Sequence, residues 1–533
     1  MDIKIKLPII PEEEMTPTVK ALQDIISQCV QIIESQKIEI QILKDEVARL
    51  KGKSPKPRIK PSKLDKDVIK KKTRSRRDRK KRQKKSTTRY EEKKLKPDNV
   101  PQDSEFKGYK NFTFQNIQVE SQTILFRREF WKTPDGTYLL APLPDEVGDH
   151  YGIELKQYIM HLNYDLNVPH GLILESLHEH GIKISPGKLN NILTEGHDIF
   201  HNEKEGLLKT GLEISPFISV DDTGARHNGK NGYCTHIGNE LFSYFKSTES
   251  KSRINFLKIL RGRHNDYILT EESFEYMSML NLPHDRKDRI IGKLNKKFDN
   301  DKEWNEFLKM VGIRGKKEVR IVNEAALLGS ILSHGINKDL VILSDDAGQF
   351  EILILLHALC WIHAERKLTS IIPINDYQKK IVDDIRSMVW DFYQELKEYK
   401  KSPVEDKKKL LENQFDTIFN QKTEFADINK ALSLIGQNKK ELLLVWERPE
   451  LPLHNNISEN SIRIYVTKRK VHGGTRSDLG RQCRDTFMSL KKTCRKLDIS
   501  FQEYILDRLY GRYKIPPLSD MLIQRMNISA EIP

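Results

Sequence analysis

Apolar residues near the start of the chain recur at alternating spacings of four and three, the pattern of a coiled-coil seam. The seam has one polar position, Gln36, among its nine. These positions are Leu22, Ile26, Cys29, Ile33, Gln36, Ile40, Leu43, Val47 and Leu50. We expect a short tail at 1–14 and a coiled coil over 15–51 that pairs two or more subunits. An amphipathic helix packed on its own domain would give the same spacing.

The periodicity stops in a basic segment. Residues 51 to 96 contain 23 Lys or Arg and 5 Asp or Glu, while the whole chain has a net charge of only +15. Such a tract cannot bury a core, so we predict a disordered basic linker over 52–100. Released counter-ions would let it bind nucleic acid, although a plain solvated linker has the same composition. Its candidate DNA contacts are Arg76, Arg77, Lys80 and Lys81.

Strand and helix periods then follow one another. Alternating runs over 106–145, interrupted by the turn "TPDG", predict a small antiparallel sheet, and we assign a small β domain to 101–150. From Tyr151 to about Lys209 the period is helical, with "SPGK" opening one helix. Helix pairs of this size often bind DNA, so 151–211 is a candidate DNA-binding region. Packing alone would explain these helices equally well.

The pattern returns to strands after Leu212. "FISV" (217–220) ends at Asp221, and "YCTHIG" and "LFSYF" continue it as a three-stranded meander. After a charged helical stretch, "KDLVILSDD" (338–346) reads as a buried strand that again ends in paired aspartates. The segment "FEILILLHALCWIHAERKL" (350–368) then reads as a helix.

Composition narrows the class of protein. The five cysteines include no Cys-x-x-Cys pair, which argues against a disulfide framework or a four-cysteine zinc site and fits a reducing cytoplasm. The start of the chain has no signal-peptide layout, and the longest apolar run, "ILILLHALCWI", is too short to span a bilayer. We therefore expect a soluble protein.

Carboxylates near strand ends are the candidate functional groups of this chain. Side chains at the carboxyl ends of strands in an α/β sheet converge on ligands, and Asp221 and Asp345 both occupy such positions, although Asp is also a common turn residue. Glu459 lies in the first turn of a helix expected over 457–467 and capped by Asn455 or Asn456. It either closes a three-carboxylate site or merely complements the helix dipole.

The surroundings of Glu459 suggest an anionic substrate. Cations follow it in the sequence, and a Gly-Gly pair at 473–474 supplies a flexible loop. Three carboxylates suit two Mg²⁺ or Mn²⁺ ions in phosphoryl transfer, whereas zinc prefers His or Cys. In "CWIH", Cys360 and His363 share a helix face and are either metal ligands or packing residues. The candidate DNA contacts in this segment are Arg463, Lys468, Arg469, Lys470 and Arg476.

Three blocks of sequence resemble the signature blocks of transposases of the insertion sequence 66 group. They are "SVDDTGARHNGKNGY", "VILSDDAGQFEILILLHALCWIHAERKL" and "LPLHNNISENSIRIYVTKRKVHGG". The resemblance covers roughly 150–510. It implies a DDE transposase with a ribonuclease H-like catalytic domain, in this chain over 212–495 with an extra helical insertion at about 262–337. A C-terminal tail would remain at 496–533.

The resemblance also assigns roles. It implies Asp221, Asp345 and Glu459 as catalytic, metal-binding residues. Asp222 and Asp346 stand where the group usually has Glu and Gly, which leaves the ligand of each pair ambiguous by one residue. The accessory positions that follow are Asp222, Asp346, His363 and Arg366. The cysteine-rich module usual in the group is absent, and the predicted sheet at 106–145 takes its place.

The fold class expected from all this is multidomain: coiled coil, basic linker, small β domain, helical DNA-binding region and α/β ribonuclease H-like catalytic domain. The implied function is a bacterial, cytoplasmic DNA transposase. It would cleave element ends with two Mg²⁺ or Mn²⁺ ions and transfer the 3′-hydroxyl strand into target DNA. It would self-associate, and small accessory proteins could assist it. The alternatives are a catalytically silent DNA-binding regulator and a nuclease that cuts without joining.

Overall fold

The computed structural model describes residues 92–98, 100–101, 104–117, 120–144 and 147–530. The chain divides into two units, Met1–Gln115 and Asn116–Pro533. The coiled coil predicted over 15–51 and most of the basic linker lie outside the described residues. The DNA contacts predicted at Arg76, Arg77, Lys80 and Lys81 lie outside them as well. These features stay predictions.

Strands and helices alternate in groups along the described residues. The strands are β1 Phe130–Lys132, β2 Tyr138–Leu140, β3 Phe217–Gly224, β4 Tyr233–Gly238, β5 Ser243–Thr248, β6 Tyr267–Ile268, β7 Lys297–Phe298, β8 Val341–Ser344 and β9 Leu356–Leu359. The first helices are α1 Ile153–Met160, α2 His170–Glu179, α3 Pro186–Thr194, α4 Asp198–Ile214, α5 Arg253–Leu260, α6 Glu271–Met279, α7 His284–Ile291, α8 Asp301–Met310 and α9 Lys316–Ser333. The later helices are α10 Trp361–Thr369, α11 Asp376–Lys401, α12 Glu405–Asn420, α13 Ala426–Gly436, α14 Lys439–Leu442, α15 Asn456–His472, α16 Asp478–Lys496, α17 Phe501–Leu509 and α18 Leu518–Ala530.

Within unit 1–115, the described residues form neither helix nor strand, and their side chains are exposed. The rings of Phe106 and Tyr109 meet edge to face with centroids 5.1 Å apart. Exposed apolar side chains that share no buried face give a strand no packing partner, so alternation alone does not produce a sheet in this segment.

The small sheet predicted over 106–145 is limited to one hairpin. Strands β1 and β2 pair antiparallel around the "TPDG" turn, where the Thr133 amide donates to the Thr137 carbonyl at 2.9 Å. The rings of Phe130 and Tyr138 stack across the pair. The described residues between 106 and 129 form no strand, because side chains such as Phe112 are exposed rather than packed on a core.

The helical region predicted over 151–211 is confirmed as helices α1–α4, with one π turn at His161–Asp165 after α1. Its core is shared with α16–α18: Phe200 packs in one cluster with Phe487, Tyr504 and Leu518. The segment 496–533, predicted as a tail, therefore contains two helices that complete this core. The buried guanidinium of Arg508 pairs with Glu203 of α4 at 2.9 Å and fixes the two parts of the chain together.

A five-stranded mixed sheet lies at the centre of the unit, with strand order β5-β4-β3-β8-β9. Strands β3, β4 and β5 form the predicted antiparallel meander, and β8 and β9 run parallel to β3. Strand β3 continues through Asp221 and Asp222 to Gly224, so the first aspartate lies inside the strand rather than at its end. The strand predicted to end at Asp345 is confirmed, since β8 stops at Ser344.

The helix predicted over 350–368 is wrong in its first half. Residues 356–359 form β9 at the sheet edge, and only α10, from Trp361, is helical. A short apolar run fits a buried strand and a buried helix equally well, so its periodicity could not separate the two. Pairing with β8 decides for the strand, with Leu343 opposite Ala358.

Two helical segments extend the sheet region. Residues 262–337, predicted as a helical insertion, fold into α6–α9 with the short β6–β7 pair, and α9 packs its buried face into the main core with Ile218 and Val220 of β3. A second segment, α11–α14, separates α10 from α15. The sequence analysis did not predict this segment as a separate insertion, because its amphipathic helices have the same pattern as helices that pack on any hydrophobic core.

Helix α16 covers the free edge of the sheet at β5. The backbone amides of Ser243, Phe245 and Ser247 each donate to a side chain of α16. Their acceptors are Thr493 Oγ1 at 3.1 Å, Ser489 Oγ at 2.8 Å and Asp485 Oδ2 at 2.7 Å. Four helical residues rise about 6 Å and two strand residues rise about 6.6 Å, so the two repeats stay in step. The helix thereby satisfies amides that an open edge would leave unpaired.

Among the described residues, no helix is both long enough and apolar enough to cross a membrane. Cys234, Cys360, Cys483 and Cys494 are buried and carry free thiols.

Replacing Ser489 by Ala should destabilise the fold by about 1–3 kcal/mol, because the buried amide of Phe245 loses its acceptor. The free energy of unfolding, measured with urea, checks this. Ser433→Ala, an exposed helical serine, is the matched control and should change stability by only a few tenths of a kcal/mol. Equal stabilities for the two variants would contradict the edge-covering role.

Candidate active site

Two of the three candidate carboxylates come from adjacent parallel strands, one within its strand and the other directly after its strand. Ser219 of β3 is in register with Leu343 of β8; Asp221 stands two residues further along β3, and Asp345 directly follows the last residue of β8. Neighbouring strands are separated by about 4.8 Å. Glu459 comes from the first turn of α15, which packs on β3 and contributes the third carboxylate.

Burial and mutual repulsion disfavour the charged forms of these acids. Burial raises the pKa of Asp221 to about 7, and the charges of Asp345, Asp222 and Glu459 act in the same direction. Burial also raises the pKa of Asp345, whose Oδ1 atom is buried and lacks a hydrogen-bond partner. Carboxylates held together in this way favour a cation between them.

The second aspartate of each pair already has cationic or amide partners. Asp222 accepts from Gln349 Nε2 at 2.8 Å and pairs with Lys251 Nζ at 2.5 Å. Its side chain thus joins β3 to the loops that follow β5 and β8. Asp346 is exposed and pairs with Lys367 Nζ at 2.6 Å. The first aspartate of each pair is therefore the less compensated one.

Two arginines and a histidine lie next to Glu459; its sequence context predicted Arg463, whereas Arg366 and His363 come from another block. Arg366 lies 3.4 Å from Glu459 Oε1, Arg463 lies 3.5 Å from Oε2, and His363 Nε2 lies 3.7 Å from Oε1. Arg366 also donates to His363 Nε2 at 2.7 Å, which requires that nitrogen to be unprotonated. Burial, followed by the charge of Arg366, lowers the pKa of His363, so the imidazole is neutral at pH 7.

One buried asparagine connects the three sequence blocks. The side-chain amide of Asn455 donates to the carbonyl of Val220 at 2.7 Å, and its backbone amide donates to Cys360 Sγ at 3.2 Å. Asn455 precedes α15, yet its side chain makes no capping bond, so the predicted cap role is replaced by this contact with β3. It fixes the start of α15, and hence Glu459, next to Asp221. The contact also gives Cys360 a packing role.

A buried histidine makes a second connection between the sheet and α15. His236 of β4 is fully buried, with Nδ1 2.8 Å from Ser458 Oγ and Nε2 3.1 Å from Ser243 Oγ. Sequence reasoning missed His236, Lys251 and Gln349. Nothing in their local sequence distinguishes them from ordinary strand or loop residues, and only the tertiary contacts reveal their positions.

The structure places Lys468 differently from the other predicted DNA contacts. Lys468 is 2% exposed, and its ammonium donates to both oxygens of Asn163. Burial lowers its pKa to about 6, and the charges of Arg484 and Lys491 act in the same direction. The exposed predicted cations of this segment are Arg463, Lys470 and Arg476. Arg469 is partly buried and donates to Thr223 Oγ1 at 3.4 Å.

The acidic site consists of oxygen donors and lies beside basic side chains, a combination suited to divalent cations and phosphate esters. In this conformation, no three His, Cys, Asp or Glu side chains among the described residues are arranged as the shell of a metal ion. The carboxylates are neighbours without converging on one point.

Comparison with known proteins identifies the family. Residues 331–482 match the model of the transposase IS66 family, a range that includes Asp345 and Glu459. An uncharacterized protein, y4jO, of Sinorhizobium fredii (strain NBRC 101917 / NGR234) is 43% identical over 305 residues, which are 57% of this chain and 94% of that protein. The chain belongs to the IS66 family of transposases. The resemblance expected from the three sequence blocks is confirmed, and the candidate aspartate and glutamate of two of those blocks fall within the matched range.

Replacing Asn455 by Ala should lower the free energy of unfolding of this IS66-family chain by about 1–3 kcal/mol, because the carbonyl of Val220 loses its buried donor. Asn455→Asp should cost at least as much, since a carboxylate would face the same carbonyl. Asn305→Ala, an exposed helical position, serves as the control for urea unfolding. Wild-type stability in both Asn455 variants would refute the connecting role.

Lys468 makes a testable contribution to the dependence of stability on pH. Its pKa is about 6 in the folded protein against 10.5 for the ordinary group, so between these values the unfolded chain binds one more proton. Stability from this residue therefore rises with pH, by up to about 1.4 kcal/mol per pH unit. Lys468→Met should flatten the rise measured by urea unfolding from pH 6 to 10. Lys470→Met, at an exposed position, should leave it unchanged.

Proposed function

We propose that this chain is a DDE transposase that binds the ends of its mobile element, hydrolyses a phosphodiester there to free a 3′-hydroxyl, and joins that hydroxyl to target DNA. One observation carries the proposal: Asp221 lies on β3, Asp345 directly follows the adjacent parallel strand β8, and a helix from a third block brings Glu459 close enough to act on the pKa of Asp221. Family membership supports the transposase role.

The residues present fit the divalent metals that such chemistry uses. Their donors are carboxylate oxygens, the preferred ligands of Mg²⁺ and Mn²⁺. Asp345 Oδ1 is buried without a partner, and the pKa of Asp221 is raised to about 7, so a cation would relieve an energetic penalty already present. Asp221, Asp345 and Glu459 would hold two ions. When bound, these ions activate the attacking oxygen and stabilise the leaving oxygen.

The other residues of the site bind and orient. Arg366 and Arg463, now paired with Glu459, are placed to exchange that carboxylate for the non-bridging oxygens of a phosphodiester. Neutral His363 accepts from Arg366 and keeps its guanidinium in place. Asn455 connects α15 to β3 through the Val220 carbonyl, and Asp222 connects β3 to Gln349 in the loop after β8. No covalent enzyme intermediate is needed, since water and then the freed 3′-hydroxyl would attack at the same place.

The finer domain assignments belong to the same proposal. The mixed sheet with its flanking helices supports a ribonuclease H-like catalytic domain over 212–495. Residues 151–211 would contact DNA, the coiled coil at 15–51 would pair subunits so that two ends are handled together, and the basic linker would hold flanking DNA.

Replacing Asp221 or Asp345 by Asn, or Glu459 by Gln, should reduce cleavage of DNA carrying the element's ends by about 100-fold or more, while DNA binding persists. Each change removes a charge that would hold metal. Labelled DNA incubated with purified full-length protein and Mg²⁺ or Mn²⁺ gives the readout, and chelation by EDTA should stop the wild-type reaction. Glu351→Gln, which removes a nearby half-exposed carboxylate, is the matched control and should cut normally.

The same assay separates the competing functions. End-specific nicks with joined products support a transposase, and nicks without joining under any condition point to a nuclease. Binding with no metal-dependent product, even when cell extract supplies accessory proteins, favours a silent regulator. Undiminished cleavage by all three carboxylate variants would refute the assignment of the site.

A further inference from the structure

We propose that a pocket beside the carboxylates is a second binding site for a DNA phosphodiester, formed by residues 224–233 and 469–476. We call these two segments, which include the end of β3, the start of β4 and the last turn of α15, the paired loops. The inference rests on the proposed function, since it assigns part of the DNA path in the same site. The pocket is shallow, has a volume of about 510 Å³, and is lined by Gly224, Arg226, Tyr233, Arg469 and Gly474 among others.

The paired loops hold each other in place through their backbones. The Asn228 amide donates to the Thr475 carbonyl at 2.7 Å, and the Thr475 amide donates to the Arg226 carbonyl at 3.0 Å. The approach is so close that a Cβ atom on Gly474 would lie 2.7 Å from the Arg226 carbonyl oxygen. Gly232 is equally constrained, with a Cβ atom 2.7 Å from the Ala225 carbonyl oxygen. The pocket is therefore preformed, and a side chain at Gly232 or Gly474 would collide with the backbone of the first segment.

A histidine adds a side-chain connection and pairs with Asp478, an acid close in sequence to the second segment. His227 Nδ1 lies 2.9 Å from Thr475 Oγ1, and its Nε2 lies 3.3 Å from Asp478 Oδ1. Asp478 also pairs with Arg481 at 2.8 Å. The carboxylate at the start of α16 is thus directed at these partners instead of at the pocket.

The charge of the paired loops is strongly one-sided. They contain five Lys or Arg residues and no Asp or Glu. Within the described part of the chain, Arg226 and Arg469 pair with no carboxylate, whereas Arg253, Arg386 and Arg508 do. Two guanidiniums without counter-ions, facing one pocket, are suited to an anion that accepts several hydrogen bonds, as a phosphodiester does.

The position of the pocket indicates which phosphodiester it would take. Gly224 is three residues beyond Asp221 on the same strand, a distance of about 10 Å. One strand of duplex DNA advances about 3.4 Å per phosphate, so the pocket would hold a phosphate roughly three nucleotides from the reacting one. That strand belongs either to the element end or to the target DNA.

Replacing Arg226 by Gln tests the site on the full-length chain. In a Glu459→Gln background, which removes cleavage, affinity for DNA carrying the element's ends should fall roughly five- to tenfold at about 0.1 M salt. The slope of log affinity against log salt should become shallower by about 0.9. Arg469→Gln should do the same, and Arg226→Lys should restore most of the slope because it keeps the charge. Arg314→Gln removes an exposed arginine of 262–337 and should match its parent.

Two arms distinguish the source of the phosphodiester. A loss of affinity for end DNA assigns the pocket to the element end. Normal end binding with reduced joining of pre-cut ends to a target plasmid assigns it to target DNA. Wild-type salt slopes, cleavage and joining in both Arg226→Gln and Arg469→Gln would overturn the inference. An absence of metal-dependent cleavage by the wild type would instead overturn the proposed function, and the salt slopes would still report on the pocket.

Discussion

The main constraint on this structure is that three carboxylates, which repel one another, must be held close together. Asp221, Asp345 and Glu459 come from segments more than 100 residues apart in the chain, and burial followed by the repulsion of the neighbouring carboxylates raises the pKa of Asp221. Nothing in that cluster favours its own assembly, so the surrounding contacts must provide the stability. The parallel pairing of β3 with β8 fixes the two aspartates, and the hydrogen bond from Asn455 to Val220 fixes the helix that carries the glutamate.

The rest of the fold makes those contacts rigid. Side chains of α16, spaced four residues apart, accept hydrogen bonds from the edge amides of β5. The buried His236 joins the sheet to α15 through Ser458. The segment expected to be a tail closes the core of α1–α4 instead. The polar groups that make these connections are buried and hydrogen-bonded to each other, because an unmet buried donor costs about 1–3 kcal/mol.

The basic residues near the site divide into two groups by what they touch. Arg366 and Arg463 pair with Glu459 and would meet a phosphodiester only by exchanging that partner, and Lys468 is buried against Asn163. Arg226 and Arg469 have no carboxylate partners among the described residues and face an open pocket. Sequence spacing placed Arg463, Lys468 and Arg469 near Glu459, but only the folded structure shows which cations are buried, which are paired with a carboxylate and which have no such partner.

The amino-acid pattern alone predicts the three acidic blocks, the strands ending near Asp221 and Asp345, the helix of Glu459 and the helical region after 151, because these follow from local periodicity and motif. It could not determine that 350–368 contains strand β9, that 496–533 completes a core, or that the sheet predicted over 106–145 is a hairpin, since each depends on which surface a segment packs against. The roles of Asn455, His236 and Lys251 were likewise decided by tertiary structure. A hydrogen bond or ion pair between residues from separate elements leaves no period in the sequence.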